Sequence, residues 1–260
     1  MMVWLLGTIL FLAYTNGAND NFKGVATLFG SRTTDYRRAL WWATVTTLAG
    51  SLAAVLLSSG LITAFSGKGL VPEALVHDPV FLLAVGIGAA LTVWLATVTG
   101  LPISTTHALT GALVGAGLAS AGHVNVSRLG HQFFLPLAVS PVLSLALTSA
   151  AYSCLRFLRI RFGVARQMCL CVDGGLPQHV QVRPDGTAVL QTTGMALTIG
   201  QLSACRERYR GRVIGIDAQR VLDRLHYLSA GAVSFARGLN DAPKIVALLF
   251  AAPAVRIPLE

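Results

Sequence analysis

Apolar residues are concentrated in six runs along the chain, each about as long as a helix that crosses a lipid bilayer. Such a helix needs about 20 predominantly apolar residues. The six predicted spans cover residues 2–29, 39–62, 80–99, 101–121, 132–155 and 225–251. The first run lacks a preceding Lys or Arg and a convincing cleavage site, so a span is favoured over a signal peptide. The pattern predicts an all-α polytopic membrane protein.

The stretch between the fifth and sixth runs is the one long polar region of the sequence. Residues 180–190 alternate between apolar and polar around a Pro-Asp-Gly turn at 184–186, which is typical of a β-hairpin. We therefore predict a small α/β insert. The predicted organisation is a first membrane repeat of about five spans over 1–155, an Arg-rich loop with the insert over 156–224, and the start of a second repeat over 225–260.

The composition agrees with a membrane location. Apolar residues make up 54% of the 260 residues and charged residues only 12%, and the mean hydropathy is +0.65. An average soluble domain carries about 25% charged residues, so this chain could not cover a surface exposed to water. The net charge of +9 comes mainly from Arg in the predicted loops. We therefore expect the lipid bilayer as a partner and no nucleic acid.

The distribution of Lys and Arg predicts the orientation of the spans. The stretch after the first span holds Arg32, Arg37 and Arg38, and residues 156–224 hold eleven Arg against five acidic residues. Cytoplasmic loops carry such an excess of basic residues. The prediction is a multi-pass protein of the cell (cytoplasmic or inner) membrane, with its N-terminus outside and its Arg-rich loop in the cytoplasm.

An internal repeat surrounds the two acidic residues that lie inside the predicted spans, Asp20 and Asp241. The thirteen residues from Gly17 and the thirteen from Gly238 are identical at eight positions, including Gly-x-Asn-Asp-x-x-Lys. Chance similarity of apolar runs does not preserve such a polar pattern, so we infer a duplication. Five spans per unit is an odd number, which predicts an inverted second copy and a substrate site between the repeats on discontinuous helices. Gly17 and Pro243 are the predicted interruption points.

The two carboxylates are expected to be functional, because a carboxylate inside a membrane costs at least about 2.5 kcal/mol. Two interpretations are open. Asp20 and Asp241 could form structural ion pairs with Lys23 and Lys244, each three residues further on. Alternatively, each carboxylate acts with the Asn before it in coupling to Na⁺ or H⁺, since amide and carboxylate oxygens suit such ions.

The fourth predicted span opens with three hydroxyl side chains, Ser104, Thr105 and Thr106. Pro102 suits the first turn of a helix, and Ser or Thr suits its cap. Free amide groups and three hydroxyls would then point at one place, which predicts an anion site. The alternative is an ordinary capped span that begins at the cytoplasmic surface.

Three further residues of this span have predicted roles. His107 is interpreted as a hydrogen-bonded packing residue, with proton coupling as the alternative. Gly111 and Gly115 are expected to form a small-residue face for close helix packing.

Catalytic and metal-binding signals are missing from the predicted spans, which contain no nucleophile–base pair and no cluster of metal ligands. We therefore expect neither an enzyme nor a cofactor, with Na⁺ or H⁺ as a coupling ion only. Cys169, Cys171 and Cys205 have a spacing that matches no standard metal site. Reduced cytosolic thiols are the favoured interpretation.

Three motifs, in this order, resemble the signatures of the inorganic phosphate transporter (PiT) family: residues 17–20, 102–107 and 234–244. The resemblance covers essentially the whole predicted membrane portion and implies an inverted-repeat secondary transporter that imports inorganic phosphate with Na⁺ or H⁺. The phosphate ligands that it implies are Asp20, Ser104, Thr105, Thr106 and Asp241. The residues that it implies for the coupling ion are Asn19, Asp20, Asn240 and Asp241, with Lys23 and Lys244 as charge partners.

The sequence departs from the family pattern in two places. The first family copy usually lacks a Lys where Lys23 stands. The second Ser-Thr-Thr-His segment is missing, since only 19 residues follow Asp241. We expect a fragment or one part of a split transporter, with a homo-oligomer or a second chain that completes the repeat. A permease for another oxyanion such as sulfate, and a non-transporting partner or sensor built on a truncated transporter, are the alternative functions.

Overall fold

The fold is known from a computed structural model, which describes residues 1–57, 59–163, 168–173, 177–182, 188–192, 196–201 and 215–252. The first helices are α1 Met2–Asp20, α2 Ala26–Gly30, α3 Tyr36–Leu57, α4 Ser59–Phe65 and α5 Glu73–Val76. They are followed by α6 Pro79–Val98, α7 Thr105–Ala121, α8 Val126–Leu129, α9 Leu135–Arg161 and α10 Ala218–Ala251. A 3₁₀ turn, Lys23–Val25, precedes α2, and a π-helical turn, Gly130–Phe134, precedes α9.

The chain forms two compact units. One unit contains Met1–Ser144 together with Leu228–Glu260, and the other contains Leu145–Tyr227. The first unit therefore holds both copies of the repeated motif and the hydroxyl segment between them.

Three helical stretches among the described residues are long and apolar enough to cross a bilayer: Tyr36–Leu57, Pro79–Val98 and Val126–Arg161. They coincide with the second, third and fifth predicted spans. The fourth predicted span contains the 17-residue helix α7, and the sixth lies within the 34-residue helix α10. The protein is thus a helical membrane protein, while the crossing of the other three segments stays a prediction.

The predicted interruption points do not interrupt their helices, so this part of the prediction is wrong. Helix α1 continues through Gly17 and ends at Asp20, and α10 continues through Pro243. Proline is tolerated inside a membrane helix where neighbouring helices pack around it, and Pro243 is buried. The α-helical path ends instead directly after Asp20. Asn and Gly, which are poor helix formers, occupy positions 21 and 24 there.

Helices α1, α6 and α7 pack side by side and form the centre of the first unit. Helix α6 contacts both of the others, and the hydrogen bond between Thr105 and Asn16 places the end of α1 near the start of α7. The fully buried side chains of this core include Leu5, Leu12, Leu82, Val85, Leu109 and Leu113, and Leu248 of α10 packs against them. In a bilayer such helices associate through close packing rather than through exclusion of water.

Glycines bring the backbones of α3 and α10 into contact. A Cβ atom added at Gly50 would lie 2.8 Å from the carbonyl carbon of Phe235 and still closer to its oxygen. A Cβ added at Gly238 would lie 3.0 Å from the backbone nitrogen of Ser51. Neither position has room for a side chain, which is the usual reason for small residues between membrane helices.

The prediction that α7 packs through a face with Gly111 and Gly115 is wrong for the described part of the chain. A Cβ added at either glycine would meet no described atom within 4 Å. The buried stripe of α7 instead contains Leu109, Leu113 and Gly117, each four residues from the next. Positions two residues away from this stripe lie about 200° around the helix and point away from the core.

The polar region forms five strands within the described residues: β1 Met168–Asp173, β2 Pro177–Val182, β3 Ala188–Thr192, β4 Ala196–Gln201 and β5 Gly215–Asp217. Strands β2 and β3 pair antiparallel, with Val182 opposite Ala188, as the predicted hairpin requires. Strand β1 lies between β4 and β5 in a second antiparallel sheet. Cys169 and Cys171 lie on β1, whereas the turn at 184–186 and Cys205 lie outside the described residues. The cytoplasmic position of this insert stays a prediction.

Candidate functional site

The hydroxyl cluster lies at the N-terminus of α7, and its three side chains have different partners. Ser104 caps its own helix by accepting a hydrogen bond from the third amide of α7 at 3.4 Å. The Thr105 hydroxyl donates to Oδ1 of Asn16 on α1. The Thr106 hydroxyl accepts from Nζ of Lys244 on α10 at 2.7 Å. The start of α7 therefore contacts both helices that carry the repeated motif.

Two residues of the same segment differ from their predicted roles. Pro102 lies in the non-helical stretch before the helix, because α7 begins only at Thr105. His107 is exposed, and its imidazole forms no hydrogen bond to a described residue. The interpretation of His107 as a hydrogen-bonded packing residue is therefore wrong for the part of the chain that the structure describes.

The first motif copy is held by a group of side chains at the end of α1. Asp20 is buried and forms an ion pair with Lys23, which is exposed. The Lys23 ammonium also donates to Oδ1 of Asn19 at 2.9 Å. Nδ2 of Asn19 donates to the Thr97 hydroxyl at 3.2 Å and to the Leu101 carbonyl at 3.3 Å. Asn19 thus ties this copy to the end of α6 and to the segment that precedes α7.

The second motif copy lies inside α10 and is more deeply buried. Asp241 is 8% exposed and Lys244 is 4% exposed. Nζ of Lys244 lies 3.7 Å from Oδ1 of Asp241 and 5.6 Å from the centre of the Phe65 ring, a cation–π distance. The exposed Asn240 donates from Nδ2 to Oδ1 of Asp241 at 3.3 Å. The structure therefore places both lysines next to the carboxylates with which the spacing pairs them.

Asn16 connects the two copies, and the sequence analysis missed it. Besides accepting from Thr105, Asn16 interacts with Asp241, and Asp20 and Asp241 are close enough to interact electrostatically. Asn16 lies outside the strict repeat, which is why the motif comparison did not select it. The available signal was an amide in an apolar run, one helical turn before Asp20.

The predicted phosphate ligands, together with Asn240, therefore divide into two sets. Asp20, Asp241, Thr105 and Thr106 lie in one region, joined by Asn16 and the two lysines. Ser104 and Asn240 are exposed, and each bonds within its own helix.

A second polar group that the sequence analysis missed lies where α3 contacts α10. Nη2 of Arg237 donates to Oδ1 of Asn21 and to Oγ1 of Thr47, both at 3.2 Å. Nδ2 of Asn21 in turn donates to the Thr44 hydroxyl at 2.9 Å. The missed signal was an Arg inside an apolar span, four residues before Asp241, since Arg is rare at such places and usually faces a partner or a cavity.

Removal of each lysine should distinguish the two ion pairs. We expect Lys244→Met to destabilise the protein by about 3–5 kcal/mol, because the variant leaves the carboxylate of Asp241 buried without its counter-ion. Lys23→Met should cost clearly less, since 47% of the Lys23 side chain is exposed and water already screens part of its pair with the buried Asp20. Thermal unfolding of the two variants in the same detergent measures the difference. Equal losses would contradict the greater burial of the second pair.

Charged side chains among apolar helices are rare in membrane proteins and mark candidate substrate or ion sites, and the group beside the N-terminus of α7 is such a candidate. Among the described residues, no three His, Cys, Asp or Glu side chains group closely enough to hold a metal ion. The chain belongs to the phosphate transporter family, whose family model matches residues 16–257.

Individual relatives agree with this family. A sodium-dependent phosphate transporter of Plasmodium falciparum is 32% identical over 62% of this chain and 25% of its own length. A protein named "Probable low-affinity inorganic phosphate transporter" from Streptomyces halstedii is 34% identical over 56% of this chain and 67% of its own. An inorganic phosphate transporter 2-1 of Arabidopsis thaliana, named as chloroplastic, is 30% identical over 57% of this chain and 26% of its own.

This chain thus spans about a quarter of the length of two of these relatives and two thirds of the third. The family and these relatives are named as transporters and not as enzymes, which confirms the prediction that the chain is not an enzyme. No solved structure matches the chain.

Proposed function

We propose that the protein is a secondary transporter that moves inorganic phosphate across the cell membrane together with Na⁺ or H⁺. The observation that carries this proposal is the contact between Thr106 and Lys244, which joins the hydroxyl segment to the second Asn-Asp motif. The family match supports phosphate as the substrate. The name of the Plasmodium relative favours Na⁺ as the coupling ion.

The proposed phosphate site uses the donors around the start of α7. The first amides of a helix and the Thr105 and Thr106 hydroxyls suit an oxyanion, and the ammonium of Lys244 adds a positive charge beside them. Ser104 belongs to the same site if its cap bond opens when the anion binds.

The carboxylates of Asp20 and Asp241 give the proposed site its selectivity. Each can accept the hydrogen that HPO₄²⁻ or H₂PO₄⁻ carries, whereas sulfate carries none at neutral pH. A site that is built to accept this hydrogen bond penalises an anion that lacks it, because the acceptor is left unpaired. Arsenate, which is protonated like phosphate, should bind in the same way.

The coupling cation is proposed to bind at the two Asn-Asp pairs, Asn19 with Asp20 and Asn240 with Asp241. Both carboxylates are paired with a lysine in this structure. An anion that draws a lysine toward itself would free the carboxylate for a cation, which links the binding of the two ions. Rocking of one repeat against the other would then expose the occupied site to the opposite side.

The proposed setting follows the expectations from the sequence. We propose a multi-pass location in the cell membrane, with the N-terminus outside and the Arg-rich loop in the cytoplasm. A homo-oligomer or a second chain that completes the second repeat is the proposed protein partner.

Uptake of labelled phosphate into cells or liposomes that contain the chain tests this function. We expect uptake above that of empty membranes, strong competition by arsenate, and little competition by sulfate. Competition by sulfate as strong as by phosphate would instead support a permease for another oxyanion. Membranes that contain the folded chain and show no uptake would favour the non-transporting partner or sensor.

A further inference from the structure

Of the two terminal guanidinium nitrogens of Arg237, Nη2 is hydrogen-bonded and Nη1 has no partner among the described residues. Nη2 donates to Asn21 and Thr47, as described above. Nη1 is buried and has no hydrogen-bond partner among the described residues. Buried polar groups in proteins are nearly always hydrogen-bonded, so an unpartnered charged donor calls for a ligand that the chain itself does not supply.

The charges around Arg237 do not balance. Lys23 pairs with Asp20 and Lys244 pairs with Asp241. No described carboxylate lies within salt-bridge distance of Arg237, although Asp241 and Asp20 are near enough to attract it. Three cations and two carboxylates leave one surplus positive charge among apolar helices. Such a charge is costly unless a counter-ion joins it, and the missing counter-ion is an anion.

Arg237 is one of the residues that line a cavity of about 430 Å³. The cavity lies between α1, α3 and α10, and its polar lining contains Asn16, Asn21, Thr47, Arg237 and Asp241. A water molecule occupies about 30 Å³ of the liquid, so the space is ample for a tetrahedral oxyanion. The rest of the lining is largely apolar, so Arg237 and its neighbours form the polar part of the cavity.

We propose that Arg237 and this cavity form a second oxyanion subsite, in which the guanidinium turns so that Nη1, which is buried and unpartnered here, donates to the anion. The subsite is distinct from the start of α7, because neither Thr105 nor Thr106 lines the cavity. Asn16 and Asp241 connect the two places, since Asn16 bonds to Thr105 and Asp241 pairs with Lys244.

The chemistry of the lining defines the class of anion. Arg237 supplies charge-assisted donors, and the carboxylate of Asp241 lines the same cavity as an acceptor. A donor and a carboxylate together select a tetrahedral oxyanion that carries a hydrogen, such as phosphate or arsenate, over sulfate. The nature of the anion thus rests on the proposed function, whereas the position of the subsite rests on Arg237 and the cavity.

Binding of ³²P-phosphate to the purified full chain in lipid nanodiscs tests the subsite. We expect Arg237→Gln to weaken phosphate binding about 10-fold or more, as for the loss of a charge-assisted hydrogen bond. Arg237→Lys should bind with intermediate affinity, because it keeps the positive charge but loses the planar fork of guanidinium donors. Arg38→Gln is the matched control, since Arg38 is an exposed Arg on α3 that pairs only with Asp35 among the described residues, and it should leave binding unchanged.

A charge-rescue experiment separates a ligand from a structural residue. In Arg237→Cys, modification with a cationic aminoethyl thiol reagent should restore part of the lost phosphate binding. The wild-type chain, which has an exposed cysteine at Cys154, gives the effect of the reagent itself when it is treated in the same way. Size-exclusion profiles of the variants show whether each one is folded.

The outcomes separate the two proposals. Phosphate binding by the wild-type chain with no loss in Arg237→Gln would overturn the subsite and leave the proposed function standing. Loss of binding in Arg237→Gln that neither Lys nor the cationic label restores would make Arg237 a structural residue, which also overturns the subsite. Absence of phosphate binding by the folded wild-type chain would overturn the proposed function, and the oxyanion subsite with it.

Discussion

Replacement of Asp241 or Asp20 by Asn should reduce phosphate uptake on the order of 100-fold, to the level of empty membranes. Asn has the shape of Asp without its charge, so it can neither balance a cation nor accept the hydrogen of phosphate as strongly. The loss corresponds to a charge-assisted hydrogen bond, which contributes about 1.5–3 kcal/mol. Both carboxylates are buried, at 9% and 8% exposure, so water cannot replace the missing group. Labelled-phosphate uptake at equal amounts of inserted protein measures this loss.

The control for these variants is Asp35→Asn. Asp35 also pairs with a basic residue three positions further on, Arg38, but 56% of its side chain is exposed. We expect its replacement to leave uptake unchanged, because exposed ion pairs contribute little. Uptake at the wild-type level in Asp20→Asn or Asp241→Asn would return that carboxylate to the purely structural ion pair.

Introduction of Leu at Gly50 or Gly238 should strongly destabilise the first unit. A Cβ atom alone would lie 2.8 Å from the Phe235 carbonyl carbon at the first position and 3.0 Å from the Ser51 nitrogen at the second. Backbone atoms cannot turn away as a flexible side chain can, so the two helices would have to separate. Overpacking of a well-packed site costs about 1–3 kcal/mol, and we expect the upper end of that range or more. Thermal unfolding in detergent measures the loss.

Two glycines of helix α7 offer a matched control for this prediction. Gly111→Leu and Gly115→Leu add the same side chain at positions where a Cβ meets no described atom within 4 Å. Leu is a better helix former than Gly by roughly 1 kcal/mol, so these variants should be neutral or slightly stabilised. A loss of stability at Gly111 or Gly115 as large as at Gly50 would show that α7 packs through a face that the described residues leave open.

The sequence alone was sufficient to predict the features that depend on local spacing. The ion pairs of Asp20 with Lys23 and Asp241 with Lys244 follow from their i, i+3 spacing on a helix, and both are present. The Ser104 cap of α7 and the hairpin of β2 and β3 also follow from short patterns of residues. Family membership was likewise predictable, because three motifs in a fixed order are specific.

Features that depend on contacts between distant helices could not be predicted in this way. The sequence predicts packing glycines in α7, whereas Gly50 and Gly238 form the close contact. Only the position of the partner helix decides at which glycine a side chain would clash. Arg237 and Asn16 were missed because each lies outside the pairs that the repeat itself reveals. Their partners, Thr47 and Thr105, are far away in the sequence.

The end of α1 at Asp20 has a consequence for the comparison of the two motif copies. Residues 17–29 and 238–250 share eight of thirteen residues, yet one copy leaves the helix after its Asp and the other stays helical through Pro243. Superposition of the two copies will therefore match up to the carboxylate and diverge beyond it. The two copies thus share a sequence pattern, while the backbone that follows the carboxylate differs between them.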